Sequence, residues 1–151
     1  MSFSGRTDAF LAIELNNDPF WPVINLGEFQ KLHRIPSHYA GEAIEHQVEL
    51  ARGKINHQLS NQKSEWQGIG YATLAAIDAE DNGARATYYK AAIFYRAKAQ
   101  LLRDFQTMSR RELADDQAKE SWETYQTLLA ESRRSIREIL AYETSIDVEL
   151  L

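Results

Sequence analysis

Ala84–Gln106 reads ARATYYKAAIFYRAKAQLLRDFQ, and its spacing decides the fold. Tyr88, Ala92, Tyr95, Ala99 and Leu102 recur at steps of 4, 3, 4 and 3, the period of one helix face. Ala91, Phe94, Leu101 and Phe105 widen that stripe to about half the circumference. A helix apolar over so broad an arc touches at least two neighbours, which makes it the centre of a bundle.

Two further long helices flank it. Upstream, Ile44, Val48, Ala51, Ile55 and Leu59 make one stripe within a helix over 38–63, with Ser37 as its N-cap and Glu42, Glu45, Glu49 and Asn56 on the far side. Downstream, Ser109-Arg110-Arg111-Glu112 has the capping-box pattern. A helix follows it to about Tyr142, burying Trp122, Tyr125, Leu129, Ile136, Ile139 and Leu140. The connector 67–83 carries Gly68, Gly70, Gly83 and an acidic run, and Tyr71, Leu74 and Ile77 predict a short helix closing one end of the core. Leu26, Phe29 and Leu32 predict another, ended by Pro36.

The expected fold is therefore all-α: an antiparallel bundle of three long helices plus one or two short ones, with extended N- and C-terminal arms. The single domain divides into an arm over 1–17, a bundle over 18–142 and a tail over 143–151. Alternation of apolar and acidic residues in 144–151 predicts an extended tail. Phe10–Leu15 is a short apolar run read as a strand or arm.

Composition agrees. The chain has 151 residues, no cysteine and three prolines, at 19, 22 and 36, so the stretch from Ser37 onward has no proline to break a helix. Disulfide and thiolate chemistry are excluded. The first residues lack a basic region followed by an apolar one, and no apolar run approaches the ~20 residues of a membrane span, so a soluble intracellular protein is expected.

Charge is uneven. The net is −5, yet 83–107 sums to +4, while 68–82 and 143–151 are each −3. Arg85, Arg96 and Arg103 fall within about 20° of one another at ~100° per residue, in one stripe beside Tyr89. The stripe is either a solvated polar face or a contact for an acidic partner, such as DNA phosphate or the acidic tail of a neighbouring copy. Phe20-Trp21 is either a staple closing the bundle or a docking anchor, because exposed tryptophan and tyrosine dominate interface hot spots. Ile146, Val148, Leu150 and Leu151 are the apolar residues of the tail and candidate partner contacts.

Catalytic motifs are missing. There is no Glu-x-x-His for a di-metal bundle site, no His-Glu-x-x-His, no phosphate loop and no Gly-x-Ser-x-Gly. Glu42 and His46 are i, i+4 neighbours read as a surface pair. Gly68-Ile69-Gly70 has Thr73 where a dinucleotide fingerprint needs its third glycine. No catalytic, cofactor or metal residues are assigned. A metal- or ligand-binding helical enzyme and a helical interaction module stand as alternatives.

Phe20-Trp21-Pro22-Val23-Ile24-Asn25, then Tyr88-Tyr89-Lys90-Ala91-Ala92, then Trp122 leading to Ser135-Ile136-Arg137-Glu138-Ile139, resemble the phage head completion/stabilisation proteins (the gpL type) of contractile-tailed phages. The resemblance covers about 18–151. Asn25 departs from it where an acidic residue is expected, and it supplies no role for 1–17. It implies a structural virion component of the head–tail junction, assembled in the host cytoplasm and without a cofactor. Its implied partners are the portal protein, a tail-joining protein and further copies in a ring on the portal, with transient contact to packaged DNA and none to membrane.

Overall fold

The computed structural model describes residues 10–36, 38–108 and 115–149, except the side chains of 107–108, 115–121 and 142–149. The order is β1 (Glu14–Leu15), β2 (Ile24–Asn25), α1 (Leu26–Leu32), α2 (Gly41–Gln58), α3 (Ser60–Ile69), α4 (Leu74–Asp81), α5 (Arg85–Met108) and α6 (Asp115–Glu149). Three of the described helices are long and three short, an all-α bundle as expected from the sequence.

Residue pairs across the seams give the directions. Asn56 of α2 meets Tyr89 of α5, and Gln47 meets Asp104, so the two run antiparallel. Ser132 of α6 donates to the Ala92 carbonyl at 2.7 Å, and Gln100 donates to the Tyr125 hydroxyl at 3.1 Å, so α5 and α6 are antiparallel too. α5 packs on α2 and α6 and also carries α4, as the broad apolar arc required. Ala92 and Ala99, both fully buried, let α6 approach closely.

The predicted α2 stripe of Ile44, Val48, Ala51, Ile55 and Leu59 is buried throughout. The helix is not continuous over 38–63, however. Leu59 takes φ −97° and ψ 8°, which ends α2 and starts α3, and Ser60 Oγ donates back to the His57 carbonyl at 2.8 Å. Ala40 holds the N-cap position of α2 without a side-chain bond. The predicted cap Ser37 lies outside the described residues, as does the capping box Ser109–Glu112. Leu74 and Ile77 seal the core from α4, capped by Thr73. α1 is capped by Asn25, whose side chain accepts from Glu28 N at 3.0 Å. It ends at Leu32, ahead of Pro36, through Arg34 at φ 50°.

Residues 10–17 form no helix and carry β1, as expected of a strand or arm, but the arm is docked. Glu14 pairs with Asn25 and Leu15 with Ile24 in an antiparallel two-stranded ribbon, and Leu15 is buried. Leu11 N donates to Gln30 Oε1 at 2.7 Å. Gly27 permits this approach, since a Cβ there would stand 2.9 Å from the Leu11 carbonyl oxygen.

The C-terminal segment differs from expectation. α6 remains helical to Glu149 instead of giving way to an extended tail at 143. Nothing in Thr144–Glu149 is a glycine or proline, and alternation over so short a run does not outweigh propagation of an existing helix. Leu150, Leu151 and residues 1–9 lie outside the described residues.

Candidate interaction surfaces

Phe20 and Trp21 prove to be a staple. They are 2% and 4% exposed, which leaves no surface for a partner. Pro19 and Pro22 restrict the backbone on either side of them. Phe20 N donates to Asp18 Oδ1 at 2.8 Å, and Trp21 N to the Asp18 carbonyl at 3.0 Å. That tight turn points both rings inward. Trp21 stacks on Tyr89 at 4.7 Å with planes 2° apart, and meets Phe20 edge-on at 4.9 Å. Phe20 stacks on Trp66 of α3 at 6.1 Å, and its carbonyl accepts from Leu74 N at 2.9 Å.

Tyr89 is buried in the core, not beside an exposed arginine stripe. Its hydroxyl donates to Asn56 Oδ1, Asn56 Nδ2 donates to Asn17 Oδ1 at 2.9 Å, and Asn17 Nδ2 donates to the Tyr89 hydroxyl at 3.0 Å. Each member of the closed ring donates once and accepts once within it, so three polar groups are satisfied in a largely apolar setting. Burial pushes the Tyr89 phenol pKa up, and the side-chain hydrogen bond with Asn17 partly opposes it. Sequence reasoning placed Asn56 on the solvent side of α2. Only its distant partners reveal otherwise, and no local signal marks them.

The arginine stripe is divided. Arg85 is 1% exposed and closes a clasp at the start of α5. Its guanidinium pairs with Asp78 at 3.3 Å and Asp81 at 2.7 Å. Asp78 also accepts from the backbone of Arg85 at 3.1 Å and Ala86 at 2.8 Å, capping α5 from the preceding helix. The Arg85 hydrogen bond, foremost, lowers the Asp81 pKa. Gly83 makes the closure possible, since a Cβ there would lie 2.7 Å from both Arg85 Nη1 and Asp81 Oδ1. Arg85 is therefore buried away from DNA and from neighbouring copies: its collinearity with Arg96 and Arg103 is real, but α4 covers its end of the stripe.

Arg96 and Arg103 remain nearer the surface. Arg103 lies over the Tyr125 ring, 5.3 Å from its centre. Arg96 lines a groove of about 320 Å³ along the α2–α5 seam with Gln47, Leu50, Ala51, Lys54 and Gln100. Leu50 is 55% exposed there. A second hollow, of about 190 Å³, lies between α1 and α5 and is lined in part by Leu32, His33 and Phe94. Leu32 is exposed. Burial, with a smaller effect of Lys98, lowers the His33 pKa to about 4.

On α6, Tyr125 and Ile139 are buried as expected, but Trp122 and Leu140 are exposed, and Ser132 and Ser135 take buried places instead. The stripe was read slightly rotated, because serines at the α5 contact escape a count of apolar residues. Ile146 and Val148 sit on the last turns of α6, and their side chains lie outside the description. Glu42 and His46 are both exposed on α2. Among the described residues no group of three or more histidine, aspartate or glutamate side chains could hold a metal, and no helix is long and apolar enough to cross a membrane.

A helical bundle with a docked N-terminal arm and unevenly distributed charge has the build of an assembly component. A model of the phage head completion protein (GPL) family matches residues 15–151. The chain is also 30% identical over 138 residues to a probable head completion/stabilization protein of Haemophilus phage HP1 (strain HP1c1), covering 89% of this chain and 91% of that protein. No solved structure matches. The chain belongs to the phage head completion protein family, with a structural role in head assembly and association with the virion head.

Proposed function

We propose that the protein completes DNA-filled heads by binding the portal vertex. There it retains packaged DNA and offers a surface to the next tail-joining protein. Copies associate in a ring on the portal, touching packaged DNA transiently, and assembly takes place in the host cytoplasm. The protein acts by shape and assembly, not by catalysis. The carrying observation is the extent of the family match: residues 15–151 run from the second residue of β1 through both ends of the bundle and the whole of α6.

Complementation tests this reading. Phage lacking the gene should accumulate filled, tailless heads that lose DNA. Purified protein added to such a lysate should restore infectious particles. A chain truncated after Tyr142 should stay helical yet fail to restore them. The reading fails if heads made without the protein hold their DNA and join tails normally.

A further inference from the structure

Several charged groups are satisfied inside the chain. Asp78 and Asp81 hold Arg85, Glu80 accepts from the Tyr71 hydroxyl, and Asp104, the one carboxylate of α5, accepts from Gln47. Lys54 and Arg96 line the α2–α5 groove beside exposed Leu50, and among the described residues neither has a carboxylate partner. The last turns of α6 carry Glu143, Asp147 and Glu149 among Ile146 and Val148.

These features cannot meet within one chain. Ser132 opposite Ala92 fixes the α5–α6 register. Arg85, the first residue of α5, therefore faces about residue 139, and 140–149 run on roughly 15 Å past it at 1.5 Å per residue. Arg96 faces about residue 128, roughly 20 Å back along α6 from Glu143. A continuous helix does not fold back over that distance.

We propose that the C-terminal turns of α6 in one copy dock in the Lys54–Arg96 groove of a second copy. The acidic residues meet the two cations, and the apolar ones cover Leu50. The proposal rests on the self-association reading above and names its contact. Such an interface is head-to-tail, joining one patch to a different patch, so it propagates from copy to copy until a ring closes.

Because the chain has no cysteine, single thiols can be introduced cleanly. Full-length Leu50→Cys and Val148→Cys chains, mixed under mild oxidation, should form a disulfide-linked dimer far faster than either alone. Lys54→Glu with Arg96→Glu in the Leu50→Cys chain should weaken pairing at least about tenfold. Asp147→Lys with Glu149→Lys in the Val148→Cys chain should then restore it. An unchanged far-UV helical signal would show that the substitutions spare the fold. A mixture that cross-links no faster than the single chains overturns the proposal, as does failure of the charge swap to rescue. Head completion is scored separately by the lysate assay. If heads are completed while the pair does not cross-link, only this contact falls; if heads are not completed, the portal reading falls.

Discussion

Trp21 and Trp122 occupy opposite situations from the ones their surroundings imply. Trp21 sits in an irregular segment between prolines, where no periodicity argues for burial, yet it stacks on Tyr89 of α5 and meets Phe20 edge-on. Trp122 belongs to a regular helical stripe with Tyr125, Leu129 and Ile136, yet it is 55% exposed. The difference lies in the number of neighbours. Periodicity shows that residues share a face, but not that the face has a partner. α5 is surrounded, whereas α6 packs chiefly on α5.

The largest expected effect tests the buried half of this comparison. Trp21→Ala removes a ring that touches Phe20 and covers the Tyr89 hydrogen-bond ring. It should destabilise the fold by about 3–5 kcal/mol, the cost of emptying a large aromatic site. Urea unfolding followed by far-UV circular dichroism would measure this, and a loss below about 1 kcal/mol would mean that Trp21 is not a staple.

Arg85→Leu comes next. It leaves Asp78 and Asp81 facing each other without their cation and should cost about 2–4 kcal/mol, somewhat less than for a fully buried pair, because Asp81 is partly exposed. Arg103→Leu, on the exposed part of the same geometric stripe, should cost less than about 1 kcal/mol. Equal effects in the same unfolding assay would show that α4 does not divide the stripe.

The helical class, the central position of α5 and the α2 stripe were legible because each rests on a repeated spacing within one element. The short helix was legible from Tyr71, Leu74 and Ile77, although it begins at Leu74 and leaves Tyr71 outside it. The Asn17–Asn56–Tyr89 ring was not, since its members lie 33 or more positions apart, except through folding itself. Nor was the fate of Arg85, where collinearity with Arg96 and Arg103 concealed a helix folding back over one end. The Phe20-Trp21 ambiguity was visible in the sequence, and the Asp18 turn resolves it. The helical turns to Glu149 were not legible, because a short alternating run fits a strand by pattern yet does not outweigh the propagation of an existing helix. The groove of Leu50, Lys54 and Arg96 is assembled from two helices, and no motif on either announces it.

His33 gives a smaller effect and a pH window. Its folded pKa of about 4 lies below the unfolded value of 6.5. Between these values the folded state binds fewer protons than the unfolded one, so stability falls as pH drops through 6.5, and the loss is complete below 4. The shift alone corresponds to about 3 kcal/mol. His33 is only partly buried, and solvent screening reduces the expected loss to about 1–2 kcal/mol. The ring packs against Phe29, Phe94 and Tyr95, so His33→Phe should flatten the stability profile between pH 6.5 and 4 while keeping the fold. Loss of stability below pH 4 should persist in that variant, because the Asp18 pKa is lowered by its hydrogen bond from Lys63 and the Asp81 pKa by its hydrogen bond from Arg85.

Trp122→Ala should have the smallest effect of all. The indole stacks on Tyr125 at 5.5 Å with planes 26° apart, and much of its surface already faces water. Removing it forfeits one aromatic pair and little burial, so unfolding should shift by less than about 1 kcal/mol. Tyr125 keeps its place through Gln100 and Arg103, which donate to its hydroxyl at 3.1 and 3.3 Å. The informative quantity is the ratio between the two tryptophan variants under one denaturant. Near-equal losses would mean that the exposed face of α6 is covered in the free protein, which would place a second copy or another partner on it before any head is present. A loss several times larger for Trp21 would show that the monomer is held together at its proline-marked beginning, with the outer face of α6 left free for assembly.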